Sequence, residues 1–440
     1  MNLGLGIGPT FIGPAFLWSP SRLRVGTRVV QDFTVRPNRL YSNLLGTTPI
    51  AGPGAEVAAM RDSWGVMVLT QTTAAARLKY AVQPAVGVRN RANGSAAVAD
   101  AAFWFATVTN NGVTATKLSS GVTPDGNAWA RYNVAGTATG SAFTLFYDAA
   151  QSRTPASAGQ SWTASALMRV ESGTPGGATS GLRVEAVEET APGTFVGSTI
   201  SSVFRGTEST TLSATRAMTT GNQVRTGIIY RVENGDTVDC IVYVEALQFE
   251  LGTSRTAWQA NLSEFDVTQA GQMSIHQLAF DGVDDFMSLA SNFAPAGAYT
   301  MAAVRTGSSF PGGVTFDNAA GTATLVQSGS TQMTANTLSN QAQFNPAAWP
   351  SGAAGVRRLD MVRVTAADAA QAWRNGVLAT TGITITGNLV PLSAISRLGR
   401  AGSSGRFNGG LLLDEGDTPL TEAERLLTER YLAYNGGITL

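Results

Sequence analysis

Residues 237–258, TVDCIVYVEALQFELGTSRTAW, constrain the fold more than any other stretch of this chain. From 238 to 251 the run is rich in β-branched and aromatic residues and has neither Gly nor Pro, which specifies a strand. At a period of two, Ile241, Tyr243, Leu247, Phe249 and Leu251 form one apolar face, broken by Glu245. Val238, Cys240, Val242, Val244 and Ala246 make the other face apolar as well. A strand apolar on both faces belongs at the centre of a covered sheet or inside a sandwich. Gly252 ends it, and 253–255 turn the chain toward Trp258.

The rest of the sequence has to supply partners for that strand, and its composition suits the task. The chain has 440 residues, of which 14% are charged and 49 are Gly. That much charge is low for a soluble protein, where about 25% is usual. Thirty basic residues balance thirty acidic ones, which argues against nucleic acid as a partner. Lys79 and Lys117 are the only lysines, so nearly all the basic charge is Arg, suited to planar hydrogen-bonded contacts. The single cysteine, Cys240, excludes an internal disulfide framework and reads as core filling. No apolar run approaches the ~18 residues of a membrane-spanning helix, so no membrane insertion is expected. The opening MNLGLGIGPTFIGPAFLW lacks the basic start of a signal peptide, so assembly in a bacterial cytoplasm is expected.

Three regions follow from the patterning. Residues 1–85 mix Gly and Pro with Arg22, Arg24, Arg28, Arg36 and Arg39, with a helical turn expected at 55–60 and a strand at 64–70. This region is expected to be an arm that packs on neighbouring subunits and attaches the chain to a larger particle; the alternative is an N-terminal extension that folds back on its own chain. Residues 86–262 are a string of short strands, among them 142–147, 161–170, 182–188 and 223–232, separated by Gly, Pro, Asn and Asp turns. Seven or more strands at this spacing form a sandwich or jelly roll. Residues 263–440 contain strands at 298–306 and 359–367 and an Asn375-Gly376 hairpin turn. A capping box at Thr421–Glu424 then opens a helix that ends at 435–437. The expected class is mainly β: an extended N-terminal arm, two tandem sandwiches and one C-terminal helix.

Two resemblances sharpen this reading. Gln248, Glu250, Gly252 and Thr256 match the Q-x-E-x-G…T closing strand of jelly-roll, carbohydrate-binding-module-like domains in tailed-phage and gene-transfer-agent fibre and spike proteins. Phe103-Trp104, TPDG at 123–126 and QSWTASALMRV at 160–170 occur in the same order as in those domains. Their Asn-Leu-Leu opening is reduced here to Arg89-Asn90-Arg91. Residues 270–440 resemble concanavalin A-like, laminin-G-type domains through FDGVDD at 280–285, the Asn-Gly hairpin, LGR…FNGGLLL and the final helix. That sandwich hosts lectins, enzymes and structural modules alike.

Few residues offer chemistry. His276 is the only histidine, which rules out most histidine-dependent triads and zinc sites, and it reads as structural. Glycoside hydrolysis needs two carboxylates about 5–10 Å apart. Glu185 and Glu189 share a strand face but lie about 13 Å apart. Glu245 and Glu250 are expected on opposite faces, and Asp414, Glu415 and Asp417 sit in a turn. Asp281, Asp284 and Asp285 could give oxygens to Ca2+, as the laminin-G resemblance implies, or simply build the turn. No other cofactor is indicated. Trp129, beside the Pro-Asp-Gly turn, and Trp349, in NPAAWPSG, are the candidate sugar-stacking groups, expected on loops.

The resemblances imply a virion structural protein, a head spike or tail fibre, and not an enzyme. Its expected partners are its own copies as a trimer or pentamer, other head or tail proteins, and host surface polysaccharide. A polysaccharide-degrading tailspike and a purely structural connector or decoration protein are the alternatives.

Overall fold

A computed structural model describes residues 20–23, 28–147, 153–190, 193–306, 313–317, 324–327, 333–337, 340–346, 356–366, 368–390, 392, 394–399 and 404–440. It is mainly β, with multiple sheets and a C-terminal helix, Glu422–Gly436. None of its described helices is long and apolar enough to cross a membrane. The chain divides into two units: 86–272 forms one, and 1–85 joins 273–440 in the other.

In the 86–272 unit the strand from Thr237 to Leu251 sits inside a six-stranded antiparallel sheet. The order is Thr210–Ala217, Ser161–Thr174, Thr237–Leu251, Ala128–Thr137, Val113–Val122, Thr107–Asn110. A five-stranded sheet built on Gln223–Val232 and Gly181–Glu189 supplies the second layer. Val134, Ala164, Val242 and Phe249 from the first sheet meet Leu182, Val184, Ile228 and Tyr230 from the second in one core. Cys240 is buried there against the Tyr230 hydroxyl, 3.4 Å away, as core filling requires.

The closing strand does not keep a constant alternation. Ala246 has φ 53°, and the pairing with the 161–174 strand slips between Ser165 and Leu167. Such a bulge inserts one residue and reverses which side chains face inward. Val238, Cys240, Val242 and Val244 point into the core before it, and Leu247 and Phe249 after it. The single odd-numbered apolar face expected from the sequence is therefore split. Ile241, Tyr243 and Glu245 face outward, and so do Gln248 and Glu250.

The motif residues beyond the bulge form a lock. Glu250 accepts from Gln248 Nε2 at 2.7 Å, from Thr256 N–H at 2.8 Å and from Thr256 Oγ1 at 2.6 Å. Gln248 Oε1 accepts from Gln259 N–H, and Gln259 Oε1 accepts from the N–H groups of Arg89 and Asn90. The lock thus ties the end of the unit to its beginning. A second clamp holds residues 219–221. Glu188 Oε1 accepts from the N–H groups of Thr219, Thr220 and Gly221, while Arg216 donates twice to Oε2. Burial alone would raise this carboxyl, but those donors outweigh it and hold it at about 2 instead of 4.5. A depressed carboxylate stabilises the fold above its unfolded value and loses that contribution as pH falls toward 2. The melting temperature of this unit is therefore expected to drop between about pH 4.5 and 2. A Glu188→Gln variant should start lower at pH 7 and show a smaller drop across the same window.

In the other unit residues 28–85 are strands of a sandwich, which corrects the expected arm. Val29–Asp32 pairs with 411–414 of Ser404–Asp414, and Lys79–Pro84 pairs with Ser274–Asp281. Ala59–Arg61 is a strand, not a helical turn, and with Met67–Thr70 it extends the opposite sheet beside Met287–Phe293. Arg28, Arg36 and Arg39 of this region are used internally, Arg39 on Asp32 at 3.1 Å. Arg28 holds Glu424 at 2.9 Å and donates to the carbonyls of Thr418 and Pro419, and Arg36 bonds Asn435. Both ends of the helix are thereby fastened to the N-terminal segment. Residues 1–19, where the rest of the arm was expected, lie outside the described residues. The domain boundaries move accordingly: the inserted unit runs to 272 rather than 262, and the second sandwich includes 28–85.

The helix itself is as the sequence specifies. Thr421 and Glu424 form the capping box, and Gly437 closes it at φ 64°. Asn375 and Gly376, at φ 49° and 81°, turn the hairpin between Ala369–Arg374 and Val377–Leu378.

Candidate functional site

The outward face of the six-stranded sheet carries the most site-like arrangement, and Trp129 lies in it. Trp129 is the second residue of the Ala128–Thr137 strand rather than a loop residue, and it is half-buried. Inward Ala128, Ala130, Tyr132 and Val134 leave Trp129, Arg131 and Asn133 outward. Register places Arg169, Tyr243 and Arg131 in one row across three strands. The neighbouring row is Leu167, Glu245, Trp129 and Gly121.

Planar groups stack across these rows. The Trp129 and Tyr243 rings lie 5.5 Å apart at 24°, and the Arg169 guanidinium covers Tyr243 at 3.9 Å from the centroid. A Cβ at Gly121 would stand 3.0 Å from the indole, so glycine lets the indole lie close to that strand.

Polar groups fix the platform. Arg131 Nε donates to Glu171 at 2.6 Å and Arg169 Nη2 donates to the same carboxylate at 2.8 Å. The Tyr243 hydroxyl donates to Glu245 at 3.0 Å, and Asn127 Nδ2 donates to its other oxygen at 2.7 Å. Burial, reinforced by Glu245, pushes the Tyr243 hydroxyl up, so it stays a donor. The Arg131 side chain remains 37% exposed, with only Nε engaged by Glu171. Preorganised rings flanked by fixed donors and acceptors can stack on the apolar face of a sugar while bonding its hydroxyls.

Tyr243, Arg131, Arg169 and Glu171 were not expected from the sequence. Their signal was the alternation of outward positions, hidden at Tyr243 because Ala246 reverses the pattern. Trp349 lies outside the described residues.

Asp281, Asp284 and Asp285 do come together, with oxygens within 4.8 Å of one another. Asp285 accepts from the Asp281 N–H at 2.6 Å, and Asp281 accepts from the Val283 N–H at 2.7 Å, so the carboxylates also shape their own turn. Burial first, and then the two neighbouring aspartates, lift Asp285 to about 6. Three carboxylates would supply part of the six to eight oxygens Ca2+ takes.

The remaining carboxylate candidates have structural work. Glu185 and Glu189 both meet Arg225, at 3.4 and 2.7 Å, so their carboxylates converge on one guanidinium and are closer than their spacing along the strand suggested. Glu415 is fully buried, held by Arg363 at 2.9 and 2.7 Å and by Thr300 at 2.9 Å. Contrary to expectation, Glu245 and Glu250 share the outward face, but Glu250 is held in the lock. His276 takes a 2.6 Å bond with the Tyr80 hydroxyl through Nδ1.

No family model matches the chain, and no curated protein matches it. Among solved structures, it is similar to the full extracellular region of zebrafish Gpr126/Adgrg6, at 11% identity and a TM-score of 0.20. The match covers 68% of this chain and 37% of that one. A score that low carries no argument, so the fold rests on strand pairing alone.

Proposed function

We propose that this chain is a virion structural protein, a head spike or tail fibre, that binds host surface polysaccharide through the sandwich at 86–272. The observation behind the binding role is the Trp129–Tyr243–Arg169 stack with Arg131 and Glu171 at its edge. The virion assignment rests on the ordered resemblance that ends in Gln248, Glu250, Gly252 and Thr256. Attachment to the particle falls to the N-terminal segment before residue 28. Single shallow sites bind weakly, and repeated copies in a trimer or pentamer would compensate through effective concentration.

The test is adsorption of the labelled full-length protein to cells with and without capsule or lipopolysaccharide glycans, with released sugar assayed alongside. Glycan-dependent adsorption without sugar release is the expected result. Sugar release would replace this reading with a hydrolase, and equal adsorption to both cell types would leave a structural connector.

A further inference from the structure

The outward face of the six-stranded sheet keeps donors that the fold itself does not use. Arg131 Nε is fixed by Glu171 at 2.6 Å, while the side chain is 37% exposed. Among the described residues nothing bonds its Nη1 or Nη2, so the outer fork of the guanidinium is left to solvent. Arg169 differs: Nη1 donates to Ser209 Oγ at 3.1 Å, Nη2 donates to Glu171 at 2.8 Å, and its plane covers Tyr243. Asn133 is the next outward residue after Arg131 on the same strand and is half-buried. Its amide has no hydrogen bond among the described residues.

Two guanidiniums share the Glu171 carboxylate, which leaves a positive charge at the outer edge of Arg131. Glu245, the carboxylate of the neighbouring row, is 8% exposed and has both oxygens engaged, by Tyr243 and Asn127. The charge of Arg255 also acts on it. A guanidinium held at Nε and open at its two terminal nitrogens presents a planar pair of donors, which fits the two oxygens of a carboxylate. Arg131 follows Trp129 by two residues on the same face, about 7 Å along the strand. A sugar ring laid on the Trp129 indole would bring a carboxylate attached directly to that ring within reach of Arg131.

We propose that this face selects an acidic polysaccharide, one with a carboxylate-bearing sugar in its repeating unit, and that Arg131 sets the choice; this rests on the reading of the Trp129–Tyr243 stack as the polysaccharide site. Stacking holds the ring, and Arg131 Nη1 and Nη2 donate to the carboxylate. The Asn133 amide adds a donor and an acceptor for hydroxyls beside it.

Isothermal titration of the full chain tests this with the surface polysaccharide of an adsorbing strain, before and after its carboxylates are reduced to primary alcohols. The expected result is binding about fivefold weaker after reduction, the size of one exposed ion pair. Arg131→Gln should weaken binding of the untreated polysaccharide by about the same factor and leave binding of the reduced form unchanged. Equal affinity for both forms, or binding to a polysaccharide without carboxylates, overturns the acidic specificity while the sugar site stands. No binding of either form overturns the site and the specificity together. Wild-type discrimination in Arg131→Gln overturns the role of Arg131. Should that variant fail to fold, the two forms of the polysaccharide on the wild-type chain still decide the specificity.

Discussion

Asn90→Ala is expected to unfold the 86–272 sandwich at markedly lower denaturant, with a loss of about 3–5 kcal/mol. Asn90 is fully buried, and its amide is used at both ends. Nδ2 donates to Ser95 Oγ at 3.0 Å, to the Leu247 carbonyl at 3.2 Å and to the Gln259 carbonyl at 2.8 Å. Oδ1 accepts from the N–H groups of Ala92 and Phe249, both at 3.1 Å. Alanine would strand these backbone groups away from water, and the penalty for a buried polar group left unmade exceeds the net value of the bond it lost. The effect centres on one place, the bulge at Ala246, because Asn90 bonds Leu247 and Phe249 on the strand that follows it. Urea unfolding monitored by tryptophan fluorescence measures the change. A loss below about 1 kcal/mol would mean that Asn90 does not hold the first and last segments of this unit together.

Trp129→Ala is expected to have the largest functional effect, weakening polysaccharide binding at least tenfold, or about 1.4 kcal/mol per site. The substitution removes the half-buried indole and takes from Tyr243 the ring stacked on it. The fold should survive, because Trp129 is on the outward face and the core contacts of its strand come from Ala128, Ala130, Tyr132 and Val134. Arg131→Gln should weaken binding less, since it removes hydrogen-bond donors at the edge but leaves the stack. Isothermal titration with capsular polysaccharide from an adsorbing strain measures both. Unchanged affinity in Trp129→Ala with an unchanged melting temperature would remove this face from the binding role, and the connector reading would then be the better account.

The sequence by itself determined the elements and their class. The closing strand, the Asn375-Gly376 hairpin and the capped helix at 422–436 depend on local backbone preference and side-chain periodicity, both of which act over a few residues. Glu250 and Thr256 were legible as a motif, although only the structure gave them a task, fastening the end of a domain to its start. Tertiary structure alone decided three matters. It placed residues 28–85 in the sandwich of 273–440, because strand partners hundreds of residues apart leave no mark in the local pattern. It reversed the closing strand at Ala246, because one inserted residue changes the facing of every residue after it. And it brought Arg131, Arg169 and Tyr243 into a row on one face. Cross-strand register makes such neighbours, and register is set by the packing of the whole sheet.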